Sequence, residues 1–179
     1  MNRPARSGVR ATQAARASGA IREARLEDAA AICAIYNRYV TDTIVTFEER
    51  PVDTPEMQSR MGAVLGKLPW LVLERGGEVA GYAYASPWKQ RIGYRFAVES
   101  SIYLAPAHTG LGLGSALYSH LLDELRARNI HCVIGGAALP NPASVALHER
   151  LGFTKVAHFR ENGFKFDRWI DVAYWQRLL

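Results

Sequence analysis

The stretch SSIYLAPAHTGLGLGSALYSHLL, residues 100–122, has the residue types of a phosphate-binding turn. An alternating segment runs into glycines at positions 110, 112 and 114, and apolar residues spaced i, i+4 then predict a helix. Glycine lets the backbone approach a ligand closely, and a helix N-terminus offers unpaired N–H groups and the positive end of a dipole. The pattern therefore predicts a cradle for a pyrophosphate group.

Three other interpretations of these glycines are weaker. A Walker loop would require Gly-Lys-Ser/Thr, which does not follow. A dinucleotide-binding fingerprint would require a third glycine where Ser115 stands, and the strand comes late in the chain rather than at its start. A turn with only a structural role would not need glycine at this density. The pyrophosphate cradle remains the favoured interpretation.

A carboxylate interrupts the otherwise apolar pattern of FAVESSIYL, just before the glycine turn. Glu99 lies in what the alternation predicts to be a half-buried strand. Burial raises the pKa of a carboxyl group toward neutral pH, which suits a general base. The alternative is a structural glutamate that forms a salt bridge or lies on an edge strand.

The hydrophobic pattern also predicts the elements that position these residues. In chain order it predicts a strand from Ile21, helices over 27–39 and 54–66, strands in WLVLER, EVAGYAYAS and FAVESSIYLAP, a helix over 115–128, a strand in IHCVIGGAAL, a helix over 141–151 and two C-terminal strands. Gly76-Gly77 and Asn162-Gly163 are typical of tight hairpin turns. We therefore expect an α/β (α+β) fold with a mixed sheet and helices on its faces.

Composition narrows the class of protein. The chain has 179 residues, of which 49% are apolar, enough for one globular domain over residues 21–179. No apolar run approaches the roughly 20 residues of a membrane-spanning helix. Of the net charge of +5, four charges come from arginines in the first 20 residues, so the predicted domain is nearly neutral. We expect neither nucleic-acid nor membrane binding.

The first 20 residues are rich in Ala, Arg, Ser and Gly and have no hydrophobic period. We expect a disordered basic extension, because such a segment cannot bury enough apolar surface to offset its ordering entropy. An Arg-rich, acid-free leader also has the composition of an organelle transit peptide, and this alternative stays open. There is no apolar core of a secretory signal, so we expect a cytoplasmic protein.

Two cysteines and five histidines have no metal-ligand spacing. Cys33 and Cys132 lie far apart in predicted buried elements and form no C-x-x-C pair. We therefore expect reduced core thiols and no metal site.

Two motifs resemble those of the GNAT N-acetyltransferases. The acetyl-CoA loop of that family, Gln/Arg-x-x-Gly-x-Gly/Ala, is matched at Thr109, Gly112 and Gly114, with threonine in place of the usual glutamine or arginine. The segment LPNPASVALHERLGF resembles the second conserved block of the family. A more specific resemblance, to the phosphinothricin and methionine sulfoximine acetyltransferase branch, covers residues 21–179 and is carried by YN at 36–37, TFE at 46–48, GYAYASPW at 81–88, YRFAVESSIYL at 94–104, LPN and LHE at 139–149, and GFKFDRWIDVAYWQ at 163–176.

The resemblance implies a GNAT fold with a mixed, mostly antiparallel sheet flanked by helices. It also implies acetyl transfer from acetyl-CoA to the α-amino group of phosphinothricin, methionine sulfoximine or methionine sulfone, a detoxification, by a homodimer. Two alternatives stay open. One is a GNAT enzyme for another amine, such as a protein N-terminus or lysine, a polyamine or an arsenic analogue, and the other is a CoA-binding sensor without turnover.

The resemblance also assigns roles to residues. It makes Glu99 the general base, acting directly or through water, and makes His148 or Tyr118 a candidate proton donor to the leaving thiolate. For both donors the alternative is a packing role in the core. The residues implied to bind the cofactor are Ile102, Tyr103, Leu104, Thr109, Gly110, Leu111, Gly112, Leu113, Gly114, Ser115, Asn141, Ser144 and His148.

The acceptor side depends on cationic and aromatic residues near the Glu99 strand. The loop PWKQRIGYR supplies Lys89, Arg91 and Arg95, which suit a second anionic or polar head group on an amino acid. The residues predicted to bind the acceptor are Phe47, Glu48, Trp88, Lys89, Arg91 and Tyr94. For each of them the alternative is a surface charge or a packing role.

Overall fold

The computed structural model describes residues 19–179. These residues form seven strands and four α-helices, as their apolar pattern predicts. The helices are α1 (Ala29–Asp42), α2 (Thr54–Val64), α3 (Leu113–Ala127) and α4 (Pro142–Arg150). The strands are β1 (Ala20–Glu23), β2 (Trp70–Arg75), β3 (Glu78–Pro87), β4 (Ala97–Leu104), β5 (Cys132–Leu139), β6 (Thr154–Lys165) and β7 (Arg168–Leu178). This is the predicted order of elements. The predicted extension lies outside the described residues except for Gly19 and Ala20.

The strands form one sheet in the order β1-β2-β3-β4-β5-β7-β6. All neighbours pair antiparallel except β4 and β5, which are parallel. That parallel pairing covers only Ala97–Ser100 of β4 and Cys132–Gly135 of β5. Both strands continue beyond it, so the sheet splits in the middle and leaves one edge of β4 without a strand partner.

The two faces of the sheet carry separate hydrophobic clusters. One cluster packs under α3 and includes Val98, Leu117, Tyr118 and Trp175. The other packs under α1 and α2 and includes Ile32, Met61, Trp70 and Tyr82. Since side chains alternate along a strand, Val98 and Ser100 of β4 face the α3 side, whereas Glu99 faces the α1 side. Consecutive side chains of β4 thus lie on opposite faces of the sheet, in two different environments.

The C-terminal hairpin corrects one sequence prediction. Asn162-Gly163 does not form its turn but lies inside β6, next to a register shift between Phe159 and Gly163. The hairpin turns instead at Phe166-Asp167, where both residues have positive φ, 53° and 55°. Packing explains why residue 163 is glycine, because a Cβ there would lie 2.1 Å from the Phe47 ring.

Three further findings concern residues 19–179. None of their helices combines the length and the apolar character that crossing a bilayer requires. They contain no group of three or more His, Cys, Asp and Glu side chains that could hold a metal ion. Cys33 and Cys132 are both free thiols.

Candidate active site

A cleft of about 440 Å³ opens where β4 and β5 separate. Its floor is the exposed edge of β4, and its sides are the glycine turn and α4. The residues that line it are Tyr39, Val45, Ile102, Leu104, Thr109, Gly110, Gly112, Gly114, Ser115, Asn141, Ala143, Ser144, Ala146, Leu147 and Arg150. Nine of the predicted cofactor residues are thus brought to one cleft from three separate segments.

The glycine turn has the backbone that the sequence predicts. Gly110 and Gly112 have φ angles of 74° and 76°, in the left-handed region that glycine adopts without strain. Gly112 caps α3 without a side chain, and the first helical hydrogen bond runs from Ala116 N to Gly112 O. The N–H groups of Leu113, Gly114 and Ser115 therefore have no acceptor within the helix. This end of α3 suits a phosphate group.

The free edge of β4 gives the cleft a second kind of binding surface. Beyond Ser100, β4 pairs only with β3, so half of its backbone groups face the split. One of them is occupied, because Tyr39 Oη donates a hydrogen bond of 2.6 Å to Leu104 O. The remaining groups can pair with the amides of an extended ligand, as a strand edge does with a peptide.

The second block of the sequence supplies the opposite wall. Asn141 caps α4, since its side-chain oxygen accepts a hydrogen bond of 3.1 Å from Ser144 N. Both residues line the cleft. Of the other predicted cofactor residues, Tyr103 stacks on Tyr82 across the sheet, whereas Leu111 is exposed and Leu113 is buried. The side chains of these three do not line the cleft.

Glu99 is half-buried on the α1 side of β4. Burial raises the pKa of its carboxyl group, and the nearby Lys89 ammonium opposes that effect. A Cβ at Gly136 of β5 would lie 3.0 Å from the Tyr174 ring and 3.4 Å from Glu99 Oε1, so glycine lets the ring and the carboxylate approach the same point. The side chain has the environment of a general base.

A pocket of about 350 Å³ lies on the same face of the sheet and contains Lys89 and Tyr174. The Trp88 and Tyr174 rings meet edge to face, with centroids 5.8 Å apart, and Lys89 Nζ lies 4.7 Å from the Trp88 ring centroid. We call this cavity the Trp88 pocket; its lining is Trp88, Lys89, Ile134, Val156, Ala157, Phe159, Asn162 and Tyr174. It combines aromatic walls with one cation.

The other predicted acceptor residues are less closely gathered. Phe47 contacts Gly163, the residue that follows Asn162 of the Trp88 pocket. The Glu48 carboxylate forms an ion pair of 2.7 Å with Arg60 of α2, so its charge is already balanced. Arg91 precedes a single 3-10 turn that ends at Tyr94, and both residues are exposed and line neither the cleft nor the Trp88 pocket.

Tyr118 lies in the core rather than at the cleft. Its side chain is fully buried, and its hydroxyl lies 2.7 Å from Ser100 Oγ. Ser100 Oγ in turn donates to Ile134 O, so the Tyr118 proton is directed to Ser100. Burial raises the pKa of the phenol. This geometry favours the packing alternative for Tyr118 over the predicted role as proton donor.

His148 is also a core residue, with 4% of its surface exposed. Its Nδ1 lies 2.8 Å from Ser144 O and donates to it, and burial lowers the pKa of the ring. The neutral imidazole then presents Nε2 as an acceptor, close to Gly135, where a Cβ would lie 2.1 Å from Nε2. A ring in this state has no proton to give from Nε2. The structure favours packing for His148 as well.

Three site residues were missed by the sequence analysis. Tyr39 and Arg150 line the cleft, and Tyr174 lines the Trp88 pocket. Tyr39 and Tyr174 lie in apolar patterns that predict only core positions, and Arg150 has the appearance of a surface charge on a helix. Only the position of Arg150 three residues after Leu147, on the same helix face, could have pointed to the cleft.

The fold and the cleft together define an N-acetyltransferase. The chain belongs to the GNAT family, since the model of the Acetyltransferase (GNAT) family matches residues 32–153. The predicted family and fold are thereby confirmed.

Two relatives and one solved structure are similar to this chain over most of its length. The chain is 43% identical over 157 residues to the phosphinothricin N-acetyltransferase of Streptomyces viridochromogenes, covering 88% of this chain and 86% of the relative. It is 42% identical to the L-methionine sulfoximine/L-methionine sulfone acetyltransferase of Salmonella typhimurium, covering 87% and 92%. A phosphinothricin acetyltransferase from Sinorhizobium meliloti, solved in complex with acetyl-CoA, superposes with a TM-score of 0.87 at 38% identity over 90% of this chain and 89% of that one.

Proposed function

We propose that this protein transfers the acetyl group of acetyl-CoA to the α-amino group of a small amino-acid analogue of the phosphinothricin, methionine sulfoximine or methionine sulfone type. The observation that carries the proposal is Glu99, a half-buried carboxylate with a raised pKa on the strand that runs into the split, which approaches the same point at Gly136 as the Tyr174 ring of the Trp88 pocket. The names of the relatives supply the acceptor class.

The cleft fits acetyl-CoA, which supplies the acetyl group as a thioester open to attack by a neutral amine. The glycine turn and the N–H groups at the start of α3 hold the pyrophosphate. The N–H groups of Ile102 and Leu104 on the free edge of β4 bind the pantetheine amides and polarise the thioester carbonyl, whereas the N–H of Tyr103 points toward β3 because backbone groups alternate along a strand. Asn141 and Ser144 line the opposite side.

The Trp88 pocket receives the acceptor. Lys89 binds its carboxylate, and the rings of Trp88 and Tyr174 enclose its side chain. An amino acid carries a protonated amine at neutral pH, so Glu99 removes one proton before the nitrogen can attack. The proton passes to the Glu99 carboxylate directly or through one water molecule. The nitrogen then attacks the thioester carbon, the C–N bond forms and the C–S bond breaks, and the leaving CoA thiolate takes up the second proton that the nitrogen loses.

We also propose that the protein is a homodimer. Apolar rings at the tip of the C-terminal hairpin support this: Phe166 and Trp169 are 52% and 61% exposed. Rings exposed together mark an interaction surface. Light scattering at micromolar concentration tests the assembly, and the mass of a single chain would contradict it.

A cytoplasmic location completes the proposal. Free thiols at Cys33 and Cys132 are compatible with a reducing compartment. Fractionation of cells of the source organism, probed with an antibody to the protein, tests this.

The activity is tested by CoA thiol release from acetyl-CoA with the full chain. The acceptors are L-phosphinothricin, methionine sulfoximine, methionine sulfone, the common amino acids and polyamines. We expect turnover with the phosphinate, sulfoximine and sulfone compounds and little with the others. Preference for polyamines, or binding of acetyl-CoA without turnover on any acceptor, would contradict the proposal.

A further inference from the structure

Lys165, near the end of β6, is a buried cation that plays no part in the chemistry described so far. Its side chain is only 4% exposed, and its Nζ donates a hydrogen bond of 2.7 Å to Thr46 O, 119 positions earlier in the chain. No carboxylate among the described residues lies within ion-pair distance of Nζ. The ammonium has one hydrogen-bond partner and lies 5.1 Å from the Phe166 ring centroid, so the cost of its burial is only partly compensated.

The partner of Lys165 belongs to a segment that carries two predicted acceptor residues. We call Thr46, Phe47 and Glu48 the acceptor segment. It lies between α1 and α2, and its contacts with these helices are polar. Tyr36 Oη lies 2.8 Å from Thr46 Oγ1, and Arg60 pairs with Glu48 at 2.7 Å. The helices thus hold this segment from one side.

Two residues of β6 contact the acceptor segment from the side opposite to the helices. Lys165 binds the carbonyl of Thr46, and Gly163 lies directly against Phe47. At Gly163 a Cβ would come within 2.1 Å and 2.2 Å of Phe47 Cε1 and Cζ, so no other residue fits without moving that ring. Gly163 and Lys165 are two apart on the strand and therefore act from the same face.

The same strand also lines the Trp88 pocket, through Val156, Ala157, Phe159 and Asn162. The register of β6 shifts between Phe159 and Gly163, and Glu161 in this stretch has a φ of 50°. A bulge of this kind re-aims side chains next to a site. Strand β6 thus lines the Trp88 pocket and also contacts the acceptor segment.

We propose that Lys165 and Gly163 are positioning residues for acceptor binding: they fix the acceptor segment against β6, so that Phe47 closes the Trp88 pocket. This inference rests on the proposed function. Neither residue lines the acetyl-CoA cleft. The two contacts therefore govern the affinity for the acceptor and leave the affinity for acetyl-CoA unchanged.

The first test is a split between two Michaelis constants. Lys165→Met keeps the aliphatic stem and removes the donor, and Gly163→Ala pushes against the Phe47 ring. We expect Lys165→Met to raise KM for the acceptor by about tenfold, the size of one lost charge-assisted hydrogen bond, and Gly163→Ala to raise it through displacement of the Phe47 ring. In both variants KM for acetyl-CoA should stay unchanged within about twofold. Lys165→Arg, which keeps the charge and donors, should recover part of the acceptor affinity.

The matched control is Lys155→Met, because Lys155 lies on the same strand with its side chain exposed. It should change neither constant. Equal effects on both constants in Lys165→Met and Gly163→Ala would overturn the proposal, as would no effect on either. Loss of the folded far-UV spectrum in both variants would also overturn it, since the contacts would then serve the fold as a whole.

A second measurement separates this inference from the proposed function. Amide hydrogen exchange needs no acceptor and reports local opening. In Lys165→Met, the amide of Glu48, which donates to Thr46 Oγ1 at 3.3 Å, should exchange at least about tenfold faster, while those of β4 and α3 keep their protection. Unchanged exchange at residues 46–48 would overturn the positioning role even in an active enzyme. Faster exchange there would support it even if no acceptor in the panel were acetylated.

Discussion

Tyr118 Oη lies 2.7 Å from Ser100 Oγ, under the face of the sheet opposite to the one that carries Glu99. The Ser100 hydroxyl in turn donates a hydrogen bond to Ile134 O of β5. The chain of donors therefore ties α3 to β4 and β5 at the place where those strands begin to part. It stabilises the split and has no free proton for a leaving group.

Tyr118→Phe accordingly should leave the reaction intact. We expect kcat to change by less than about threefold, whereas a proton donor would contribute at least about 100-fold. The loss of one buried hydrogen bond should lower the free energy of unfolding by about 1 kcal/mol. Steady-state kinetics and urea unfolding measure the two effects. A large fall in kcat in a stably folded variant would restore the catalytic role of Tyr118.

Glu99→Gln should abolish most of the activity without affecting acetyl-CoA binding. Glutamine has nearly the same shape but accepts no proton, so kcat should fall by about 100- to 10,000-fold. Glu99 does not line the acetyl-CoA cleft, so the dissociation constant for acetyl-CoA should stay the same. Calorimetric titration checks the binding. A variant with full activity would exclude Glu99 as the base.

The same variant should show how the charge at Glu99 affects stability. The pKa of Glu99 is raised in the folded protein, so the folded state binds this proton more tightly than the unfolded state. This favourable contribution is present below the unfolded pKa of about 4.3 and is lost as the pH rises through the folded value. The Tm of Glu99→Gln relative to that of the native protein should therefore increase from about pH 4 to pH 8. A constant difference across this range would contradict the raised pKa.

Lys89 should set the acidic limb of the pH profile. Its ammonium lowers the pKa of Glu99 against the effect of burial, so Lys89→Met should raise that pKa further. The acidic limb of kcat/KM then moves to higher pH, and solvent screening limits the size of this shift because Lys89 is exposed. Lys67→Met, at an exposed position after α2, is the control. A limb that moves to lower pH in Lys89→Met would reverse the assigned sign.

The sequence predicts those parts of the fold that depend on local pattern. The order of elements follows from the hydrophobic periodicity. The glycine turn follows from the glycines at 110 and 112, whose left-handed φ angles few other residues adopt. The half-buried position of Glu99 also follows from local pattern, because a carboxylate interrupts an apolar alternation. In each of these cases the cause lies within about ten residues of the feature.

The parts that the sequence did not predict depend on contacts between distant segments. Asn162-Gly163 has the residues of a hairpin turn, but Gly163 is needed to accommodate Phe47. The burial of His148 depends on the absence of a side chain at Gly135. The Trp88 pocket draws on four separate strands and loops, and no local pattern reveals that they meet.

Arg150 offers the last prediction, because it is the only charged side chain among the described residues that line the cleft. Leu147 packs 3.9 Å from where a Cβ of Gly114 would lie, and Arg150 follows one turn later on the same side of α4. Arg150 thus lines the same cleft as the glycine turn, where the nucleotide phosphates of acetyl-CoA bind under the proposed function.

Arg150→Ala should raise KM for acetyl-CoA by about tenfold, since one charge-assisted hydrogen bond to a phosphate contributes about 1.5 kcal/mol. The effect should diminish with added salt, and kcat should not change. Acetyl-pantetheine, which carries no phosphate, should be used equally well by the native enzyme and the variant. Arg126→Ala, at the far end of α3 where Arg126 pairs with Asp123 on the surface, is the control. Equal losses with acetyl-CoA and acetyl-pantetheine would mean that Arg150 supports the cleft wall rather than a phosphate.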